Sequence, residues 1–404
     1  MTERLYDQDA YLTEFDATIV ARETWAGRAA VELDRTAFYP EGGGQPADQG
    51  TLDGHAVVDV QLVEGRILHL LANGQRADDL PGRVHGVIAW PRRWDHMQQH
   101  SGQHILSQAF IAAVGAETVA FHLGTDAATI DLDRVGLDEG VLRQVEEIAN
   151  DVVMANRPVS ARFVTLAELA ALPLRRPPTV TERIRIVEVA GFDWSACGGT
   201  HVRATGEVGP IKIIKTERRG AETRVTFLCG RRALADYGRK HALLQRVVNR
   251  FTCAEDELEA AVERLDEEAR RARKELRAVE EELVRYQAAA LWAEAPLQGD
   301  VRVVARIFAE HTPERMRALA RVLCERPRTV VLLGWGGASP QWVFARSQDL
   351  AVDMGAILRV ALQATGGRGG GRGEWAQGGG GDPSRSEEGL VQAMAALTPS
   401  IRAA

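Results

Sequence analysis

Short apolar runs separated by glycine and aspartate turns fill residues 1–90. Runs of this length between turn residues are typical of β-strands. The runs are Ala17–Val20, Ala29–Leu33, Ala56–Val63 and Arg66–Leu71. We therefore expect residues 1–90 to form a small N-terminal β-barrel.

Residues 91–235 mix two periodicities. Apolar residues recur at helical spacing in Trp94–Val114 and again in Gln144–Met154. Ile184–Val189 and Ile211–Ile214 are short apolar runs typical of strands. This mixture predicts an α+β domain.

A heptad pattern begins near residue 236. Charged residues fill the positions between the apolar ones, which predicts that residues 236–296 form one long helix with coiled-coil character. Such a helix could dimerise two chains or fold back as an antiparallel hairpin. The heptad residues are Leu244, Val248, Phe251, Leu258, Val262, Leu265, Ala269, Ala272, Leu276, Val279, Leu283 and Tyr286.

Residues 297–404 are expected to form a C-terminal α/β domain. The predicted strands are Val301–Ile307 and Thr329–Leu333, and the predicted helices are Pro313–Leu323 and Glu388–Leu397. The glycine-rich string Gly366–Gly381 lies before the last helix. Its composition alone would allow a flexible linker. The predicted fold class is therefore α+β, with a barrel, an α+β domain, a coiled-coil segment and an α/β domain.

The net charge of −7 over 404 residues does not by itself favour a polyanionic partner. Residues 203–240, however, contain ten basic and four acidic side chains, so a local and salt-sensitive contact with RNA is expected there. The four cysteines do not form a disulfide framework. We see no signal peptide and no long apolar run, and we therefore expect a soluble, cytoplasmic protein without a membrane partner.

Two distant motifs each place two metal ligands four residues apart. His100-Ser-Gly-Gln-His104 lies in the first predicted helix, where residues i and i+4 share a face. Cys197-Gly-Gly-Thr-His201 contains two glycines and is expected to be a turn. Three imidazoles and one thiolate suit a tetrahedral zinc ion, so a zinc hydrolase is expected, although four ligands would also permit a closed structural site.

Two neighbouring residues qualify that prediction. His96 lies one turn before His100 and is interpreted as a neighbour of the site rather than a ligand. Ser101 stands where zinc proteases with a His-Glu-x-x-His motif carry their general base. The sequence therefore argues against a protease of that class.

The two ligand motifs, taken with several others, resemble the editing domain of alanyl-tRNA synthetase and its freestanding relatives, the AlaX alanyl-tRNA editing proteins. The resemblance extends clearly over residues 5–235. The glycine-rich string Phe38-Tyr-Pro-Glu-Gly-Gly-Gly-Gln-Pro-Ala-Asp48 resembles the signature of the family's N-terminal barrel. The other matching segments are Arg92–His104, Asn156–Val159, Leu174–Pro177, Phe192–Cys197 and Thr205–Lys212.

This resemblance implies a deacylase that acts in trans on mischarged alanine tRNA, with one zinc ion per chain held by His100, His104, Cys197 and His201. The ester carries serine or, in some cases, glycine. The family places a threonine near the pocket, so Thr36 is the candidate that binds the serine hydroxyl, and Gln45 is the second. Glu41, beside the glycine turn, is the candidate base.

The same resemblance extends to the C-terminal segment. Gly366–Gly381 resembles the glycine-rich motif in the C-terminal domain of alanyl-tRNA synthetase, which is related to the DHH-associated domain of phosphoesterases. This implies RNA binding in a long form of AlaX. The catalytic DHH motifs are absent from the sequence, so we assign no phosphoesterase activity.

Candidate RNA-binding residues lie in both halves of the chain. Arg368 and Arg372 could pair with phosphates, and Trp375 could stack on a base. In the basic stretch the candidates are Arg203, Lys212, Lys215, Arg218 and Arg219.

Two other functions remain open at this point. The first is a metal-dependent hydrolase of another ester or peptide, and the second is a non-catalytic tRNA-binding protein with structural zinc. A full synthetase is not expected, because nothing before the barrel could hold the ATP-dependent aminoacylation domain. ATP binding is expected only as a property of the wider alanyl-tRNA synthetase family that this sequence resembles.

Overall fold

The structure, a computed structural model, describes residues 2–177, 183–337 and 339–402. It divides into two compact units, Met1–Arg250 and Phe251–Ala404. Both units combine helices with sheets, so the predicted mixed α+β class is confirmed. The four finer domain boundaries expected from the sequence stay a prediction.

Six strands of the first unit close into a barrel in the order β2-β3-β7-β6-β5-β8. All four strands predicted for residues 1–90 are present, and β2 is much longer than the predicted apolar run. It is longer because its solvent-facing positions are polar while Phe15, Ala17 and Ile19 point into the core. The strands are β1 Glu3–Arg4, β2 Glu14–Trp25, β3 Arg28–Leu33, β4 Arg35–Thr36, β5 Gly50–Leu52, β6 His55–Val63, β7 Arg66–Leu71 and β8 Arg83–Ile88.

Among the residues that the structure describes, the rest of the first unit contains four helices and two antiparallel sheets, with strand orders β14-β15-β10-β9 and β11-β12-β13. The two predicted helices and two predicted strands of this region are confirmed, most of them with longer bounds. The elements are α1 Trp90–Val114, β9 Thr118–Leu123, β10 Ala128–Leu132, α2 Glu139–Met154, β11 Val159–Val164, α3 Leu166–Leu169, β12 Ile184–Val189, β13 Asp193–Ala196, β14 Ile211–Arg219, β15 Glu222–Cys229 and α4 Gly230–Phe251.

Helix α1 lies in the core of the first unit. Pro91 stands in its first turn, and Gly115 ends it in the left-handed conformation, with φ of 66°. Gly102 allows close packing on the end of β15, because a Cβ there would lie 2.2 Å from the Sγ of Cys229. Polar side chains in the middle of α1 are consequently buried and need partners.

A buried ion pair fastens the glycine-rich segment 38–48 to α1. The Nε of Arg93 donates to both carboxylate oxygens of Asp48, at 3.0 and 2.9 Å, and neither side chain is exposed. The same carboxylate accepts from the backbone N–H of Tyr39 at 2.7 Å, and Arg93 Nη2 donates to the carbonyl of Ala37 at 2.6 Å. Both charges are therefore fully partnered, and the segment is held against the helix.

The expectation of one continuous helix over 236–296 is wrong. Helix α4 ends at Phe251, Thr252 has a left-handed φ of 53°, a 3-10 turn occupies Glu255–Glu257, and helix α5 is Leu258–Glu294. Several heptad residues of α5 are exposed, among them Leu265 at 54%, Leu276 at 58% and Val279 at 61%. A coiled-coil contact, and a homodimer through it or through the C-terminal domain, stays a prediction.

The second unit is built on a six-stranded sheet in the order β16-β17-β18-β19-β21-β20, in which only β17 and β18 pair in parallel. Its predicted strands and helices are confirmed. Besides α5, the elements are β16 Leu297–Gln298, β17 Val301–Phe308, α6 Pro313–Cys324, β18 Thr329–Trp335, β19 Gln341–Arg346, α7 Met354–Thr365, β20 Arg368–Arg372, β21 Trp375–Gly379 and α8 Ser386–Arg402.

The glycine-rich string forms the hairpin β20–β21 at one edge of this sheet, so it is not a flexible linker. The glycines are needed because the two strands approach closely. A Cβ at Gly369 would lie 2.3 Å from the Cα of Gly378, and one at Gly371 would lie 2.4 Å from the Cα of Ala376.

No helix within the described ranges has the length and apolar character that crossing a membrane requires.

Candidate metal centre

Helix α1 and the loop after β13 bring the four predicted ligands together. The ligand atoms of His100, His104, Cys197 and His201 all lie within 4.8 Å of one another. Cys197 Sγ lies 3.4 Å from His100 Nε2 and 3.3 Å from His201 Nε2. A zinc tetrahedron with bonds of about 2.0 Å to nitrogen and about 2.3 Å to sulfur has edges of about 3.5 Å. The four donors therefore fit a zinc ion in both type and spacing.

Each imidazole of the cluster uses its Nδ1 for a hydrogen bond with another side chain. This contact fixes the ring and leaves Nε2 facing the common centre, which is how histidines are usually held in metal sites. The pairs are His100 with Gln45 Oε1 at 2.8 Å, His104 with Asp193 Oδ2 at 3.1 Å, and His201 with Ser101 Oγ at 3.1 Å.

Electrostatics inside the cluster favour the metal-binding protonation states of Cys197 and His201 but favour a protonated His104. Burial opposes ionisation of the Cys197 thiol, but the His100 and His201 imidazoles lower its pKa well below the ordinary value. Burial lowers the pKa of His201 to about 3. Burial also acts against protonation of His104, but its hydrogen bonds to Asp193 and Cys197 raise its pKa. A thiolate and neutral imidazoles are the forms that coordinate zinc.

The loop that carries Cys197 and His201 depends on one glycine. A Cβ at Gly199 would lie 2.2 Å from Cε1 and 2.5 Å from Nδ1 of His100, whereas a Cβ at Gly198 would meet nothing within 4 Å. Arg185 holds the same loop, because its Nη1 donates to the carbonyls of Cys197 at 3.1 Å and Gly199 at 2.8 Å. The loop is therefore held against α1 and β12 by contacts within the protein.

The candidate metal ligands His100 and Cys197 form part of the wall of a cavity of about 810 Å³. The glycine turn Glu41–Gly43 and Tyr39 form another part of the wall. Five arginines also line the cavity, namely Arg4, Arg175, Arg176, Arg183 and Arg185. The metal centre is thus accessible from a basic cavity.

The residues predicted to act beside the metal lie in different places. Thr36 is fully buried and does not line the described part of the cavity. Its hydroxyl lies 2.8 Å from His69 Nε2 and accepts from the N–H of Phe38 at 3.1 Å. His69 Nδ1 lies 3.1 Å from the carbonyl of Val31 and donates to it, so Nε2 is the acceptor and Thr36 gives its proton to His69.

Gln45 is buried between the ligand His100 and the ligand loop. Its Oε1 accepts from His100 and from the N–H of Thr200, and its Nε2 donates to the hydroxyl of Thr200 at 2.9 Å. Glu41 lines the cavity and accepts from Gln61 at 3.1 Å. The catalytic roles of Thr36, Gln45 and Glu41 stay predictions.

His96 is buried outside the four-ligand cluster, and burial lowers its pKa to about 4. Its Nδ1 has no hydrogen-bond partner among the described residues. This placement agrees with its interpretation as a neighbour of the site.

Several of the predicted RNA-binding residues already have acidic partners. Arg203 pairs with Asp9 at 3.1 Å, Lys212 with Glu146 at 2.7 Å, and Lys215 with Glu217 at 3.0 Å. Arg218 donates to the carbonyl of Gly220, and Arg219 lies at the end of β14. In the second unit Arg368 and Arg372 are exposed on β20, each two residues from Gly370. RNA binding by these residues stays a prediction.

Sequence reasoning missed Asp193 and the arginines of the cavity. Asp193 is 1% exposed, and its Oδ2 contacts His104 and accepts from Ser195 at 2.8 Å. Its sequence signals are its place in the matching segment Phe192–Cys197 and its acidic side chain four positions before Cys197. The arginines come from separate segments that only the fold brings together.

Comparisons with known proteins agree with this geometry. The family described as threonyl and alanyl tRNA synthetase second additional domain matches residues 184–224, which contain Cys197 and His201. The chain is 31% identical over 393 residues to the alanyl-tRNA editing protein AlaX-L of Pyrococcus horikoshii, and the match covers 94% of each chain. It is 38% identical over 244 residues to AlaX-M of Methanosarcina acetivorans, a match that covers 55% of this chain and 97% of that protein.

Longer proteins match as well. The alanine–tRNA ligase of Pyrococcus furiosus is 33% identical over 409 residues, which is 98% of this chain but 44% of the ligase. The chain thus spans less than half the length of that ligase. A crystal structure of the C-Ala domain from Aquifex aeolicus alanyl-tRNA synthetase matches with a TM-score of 0.24 and 28% identity, covering 27% of this chain and 97% of that domain.

A barrel followed by a domain with this ligand set and this family match defines a class of protein built on the editing region of alanyl-tRNA synthetase. The match to a long relative extends over nearly all of both chains. The chain belongs to the AlaX family of alanyl-tRNA editing proteins.

Proposed function

We propose that the protein is a trans-editing deacylase that hydrolyses the ester between serine, or glycine, and alanine tRNA in the cytoplasm. The observation that carries this proposal is the four-ligand cluster in the wall of a basic cavity. Family membership supports the substrate, because two relatives are named alanyl-tRNA editing proteins. A second, hydrolytic site is needed because a pocket for alanine rejects an added hydroxyl only weakly.

One zinc ion per chain would be held by His100, His104, Cys197 and His201. When bound, zinc supplies a Lewis acid next to the ester. The chain itself contributes orientation, because Gln45, Asp193 and Ser101 fix the three imidazole rings. Its arginine-lined wall contributes positive charge beside the centre.

Selection for serine is proposed to rest on Thr36, which requires the seryl side chain to reach a buried hydroxyl that does not line the described part of the cavity. The hydroxyl proton of Thr36 goes to His69, so its remaining lone pair can only accept a hydrogen bond. A serine hydroxyl can donate such a bond, whereas an alanyl methyl group cannot. Glu41 on the cavity wall is proposed to take the proton from the attacking water.

The decisive experiment measures deacylation of alanine tRNA charged with serine, glycine or alanine, with and without a chelator. We expect hydrolysis of the seryl ester, slower or no hydrolysis of the alanyl ester, and loss of activity when zinc is removed. His104→Ala should lower zinc content and reduce seryl hydrolysis by at least ~100-fold. His122→Ala, a change at an exposed histidine on β9, is the control. Rapid hydrolysis of the alanyl ester would overturn the editing function.

A second candidate function is tRNA binding with a purely structural zinc, and one observation favours it. Four protein donors already complete a tetrahedral shell, as in structural sites. This candidate predicts tRNA binding with no deacylation of any ester in the same assay. A hydrolase of other esters would instead act equally well on small seryl esters that lack RNA.

A further inference from the structure

The cavity is lined by five arginines and by two carboxylates, Asp7 and Glu41. Arg176 pairs with Glu117 at 3.5 Å, Arg175 with Asp193 at 3.6 Å, and Arg183 with Asp7 at 3.8 Å. Among the described residues, Arg4 and Arg185 have no ion-pair partner, and the carboxylate whose charge they feel together with Arg183 is Asp7. Three arginines around one carboxylate leave a net positive charge at Arg4, Arg183 and Arg185.

Arg185 is the most informative of these side chains. It is 8% exposed, and its Nη1 is bound to the carbonyls of Cys197 and Gly199. Its Nε is buried without a hydrogen-bond partner among the described residues. A buried guanidinium with an unsatisfied donor is costly unless an anion completes its contacts. Because Arg185 holds the carbonyl of a metal ligand, that anion would bind next to the metal loop.

An exposed aromatic ring lies beside this charge. Phe163 on β11 lines the same cavity and is 44% exposed. The guanidinium carbon of Arg183 lies 5.3 Å from the centre of the ring. An exposed ring next to arginines is how single-stranded nucleic acids are commonly held, because bases stack on aromatic rings while cations contact the phosphate.

We propose that the part of the cavity lined by Arg4, Phe163, Arg183 and Arg185 binds the 3′-terminal nucleotide of the tRNA. The three arginines contact its 5′-phosphate, and Phe163 stacks on its base. The proposal rests on the deacylase function and deepens it. In an aminoacylated nucleotide only the ribose separates this phosphate from the ester. A phosphate on Arg185, which contacts the Cys197 carbonyl, thereby brings the ester to the metal ligands.

The test uses two small substrates that differ only in the phosphate, 3′-O-seryl-adenosine 5′-monophosphate and 3′-O-seryl-adenosine. Charge-assisted hydrogen bonds predict that the intact protein prefers the phosphorylated ester by about 10- to 100-fold in kcat/KM. Arg185→Met, which keeps most of the side-chain volume, and Arg183→Ala should each reduce this preference, measured as the ratio of the two kcat/KM values. Arg185→Lys should restore part of the preference.

Arg176→Ala is the matched control, because Arg176 lines the same cavity but already pairs with Glu117. It should keep the full preference. Phe163→Ala should lower kcat/KM for both substrates by a similar factor, of about 5- to 100-fold, and Phe163→Tyr should restore both values. A purely structural role for Arg185 would reduce hydrolysis of both esters equally and would lower zinc content.

A separate binding measurement distinguishes failure of the phosphate site from failure of the deacylase function. Equilibrium dialysis of the full chain with adenosine 5′-monophosphate and with adenosine should show tighter binding of the nucleotide, and Arg185→Met should remove the difference. If neither seryl ester is hydrolysed but the nucleotide still binds better, the deacylase function fails and the phosphate site stands. An equal affinity for nucleotide and nucleoside, or a preference unchanged by the arginine variants, overturns the site.

Discussion

Asp193 holds His104 from behind, and this contact predicts how tightly the site binds zinc. The carboxylate is buried and lies 3.1 Å from the Nδ1 of His104. Asp193→Ala should free the ring and weaken zinc affinity by about 10- to 100-fold. Asp193→Asn, which keeps an acceptor oxygen, should lose less zinc affinity than Asp193→Ala. Zinc affinity is measured by competition with a chromogenic chelator, and an unchanged affinity in the alanine variant would contradict the role.

The buried side chain of His69 makes the stability of the barrel depend on pH. Burial lowers its pKa to about 4, below the ordinary 6.5, so on acidification the unfolded chain takes up this proton first. The contribution of neutral His69 to the free energy of unfolding is therefore complete above pH 6.5. It is lost as the pH falls to about 4, and the total loss is about 3 kcal/mol.

His69→Asn should remove this dependence. The stability of the wild type relative to the variant, from urea unfolding, should fall as the pH is lowered from 7 to 4.5. Other groups titrate equally in both proteins and cancel in the comparison. A constant difference across this range would show that His69 does not titrate as stated.

At the residue scale the sequence predicted the four ligands but not the side chains that orient them. His100 and His104 share a helix face, and Cys197 and His201 share a loop, so short spacings reveal them. The contact of Gln45 with His100 spans 55 residues, and that of Asp193 with His104 spans 89. No local pattern encodes such contacts, since they exist only after the barrel, α1 and β13 have packed.

Among the elements, the ligand loop allows a matched pair of substitutions. Gly199→Ala places a Cβ inside contact distance of His100, and the ring or the loop must move. Overpacking of this kind costs about 1–3 kcal/mol, so zinc affinity should fall by roughly 10- to 100-fold. Gly198→Ala meets open space and should bind zinc like the wild type. Equal zinc content and affinity in the two variants would refute the close approach of loop and helix.

Element prediction succeeded where apolar periodicity was strong and failed where the helix breaks. The heptad pattern continues through the break between α4 and α5, so the sequence indicated one helix. Helices commonly end at a glycine in the left-handed conformation, but here Thr252 adopts it, with φ of 53°. The next segment starts with the Glu257 carboxylate accepting from the N–H of Ala254 at 3.0 Å. Neither feature has a distinctive sequence signal.

For the whole molecule, the division into two units predicts a separation of tasks. The four metal ligands and the cavity lie within the first unit, whereas Arg368 and Arg372 lie in the second. A chain that ends at Arg250 should keep one zinc ion and hydrolyse 3′-O-seryl-adenosine 5′-monophosphate at the full-length rate. Its affinity for alanine tRNA should fall about tenfold or more, with a weaker salt dependence.

The full-length double variant Arg368→Ala, Arg372→Ala is the companion to that truncation. It should reproduce part of the loss of tRNA affinity, measured by filter binding at several salt concentrations. If the truncated chain binds tRNA as tightly as the full chain, the second unit has no part in recognition.

The inward-facing imidazoles have a further thermodynamic consequence. Gln45, Asp193 and Ser101 orient their rings through contacts that the folded chain makes and an unfolded chain cannot maintain. Zinc that binds this arrangement therefore stabilises the folded state as a linked ligand. Each tenfold rise in free zinc above the dissociation constant should add about 1.4 kcal/mol to the unfolding free energy. The concentration of free zinc would thereby set both the fraction of the protein that carries the ion and its resistance to unfolding.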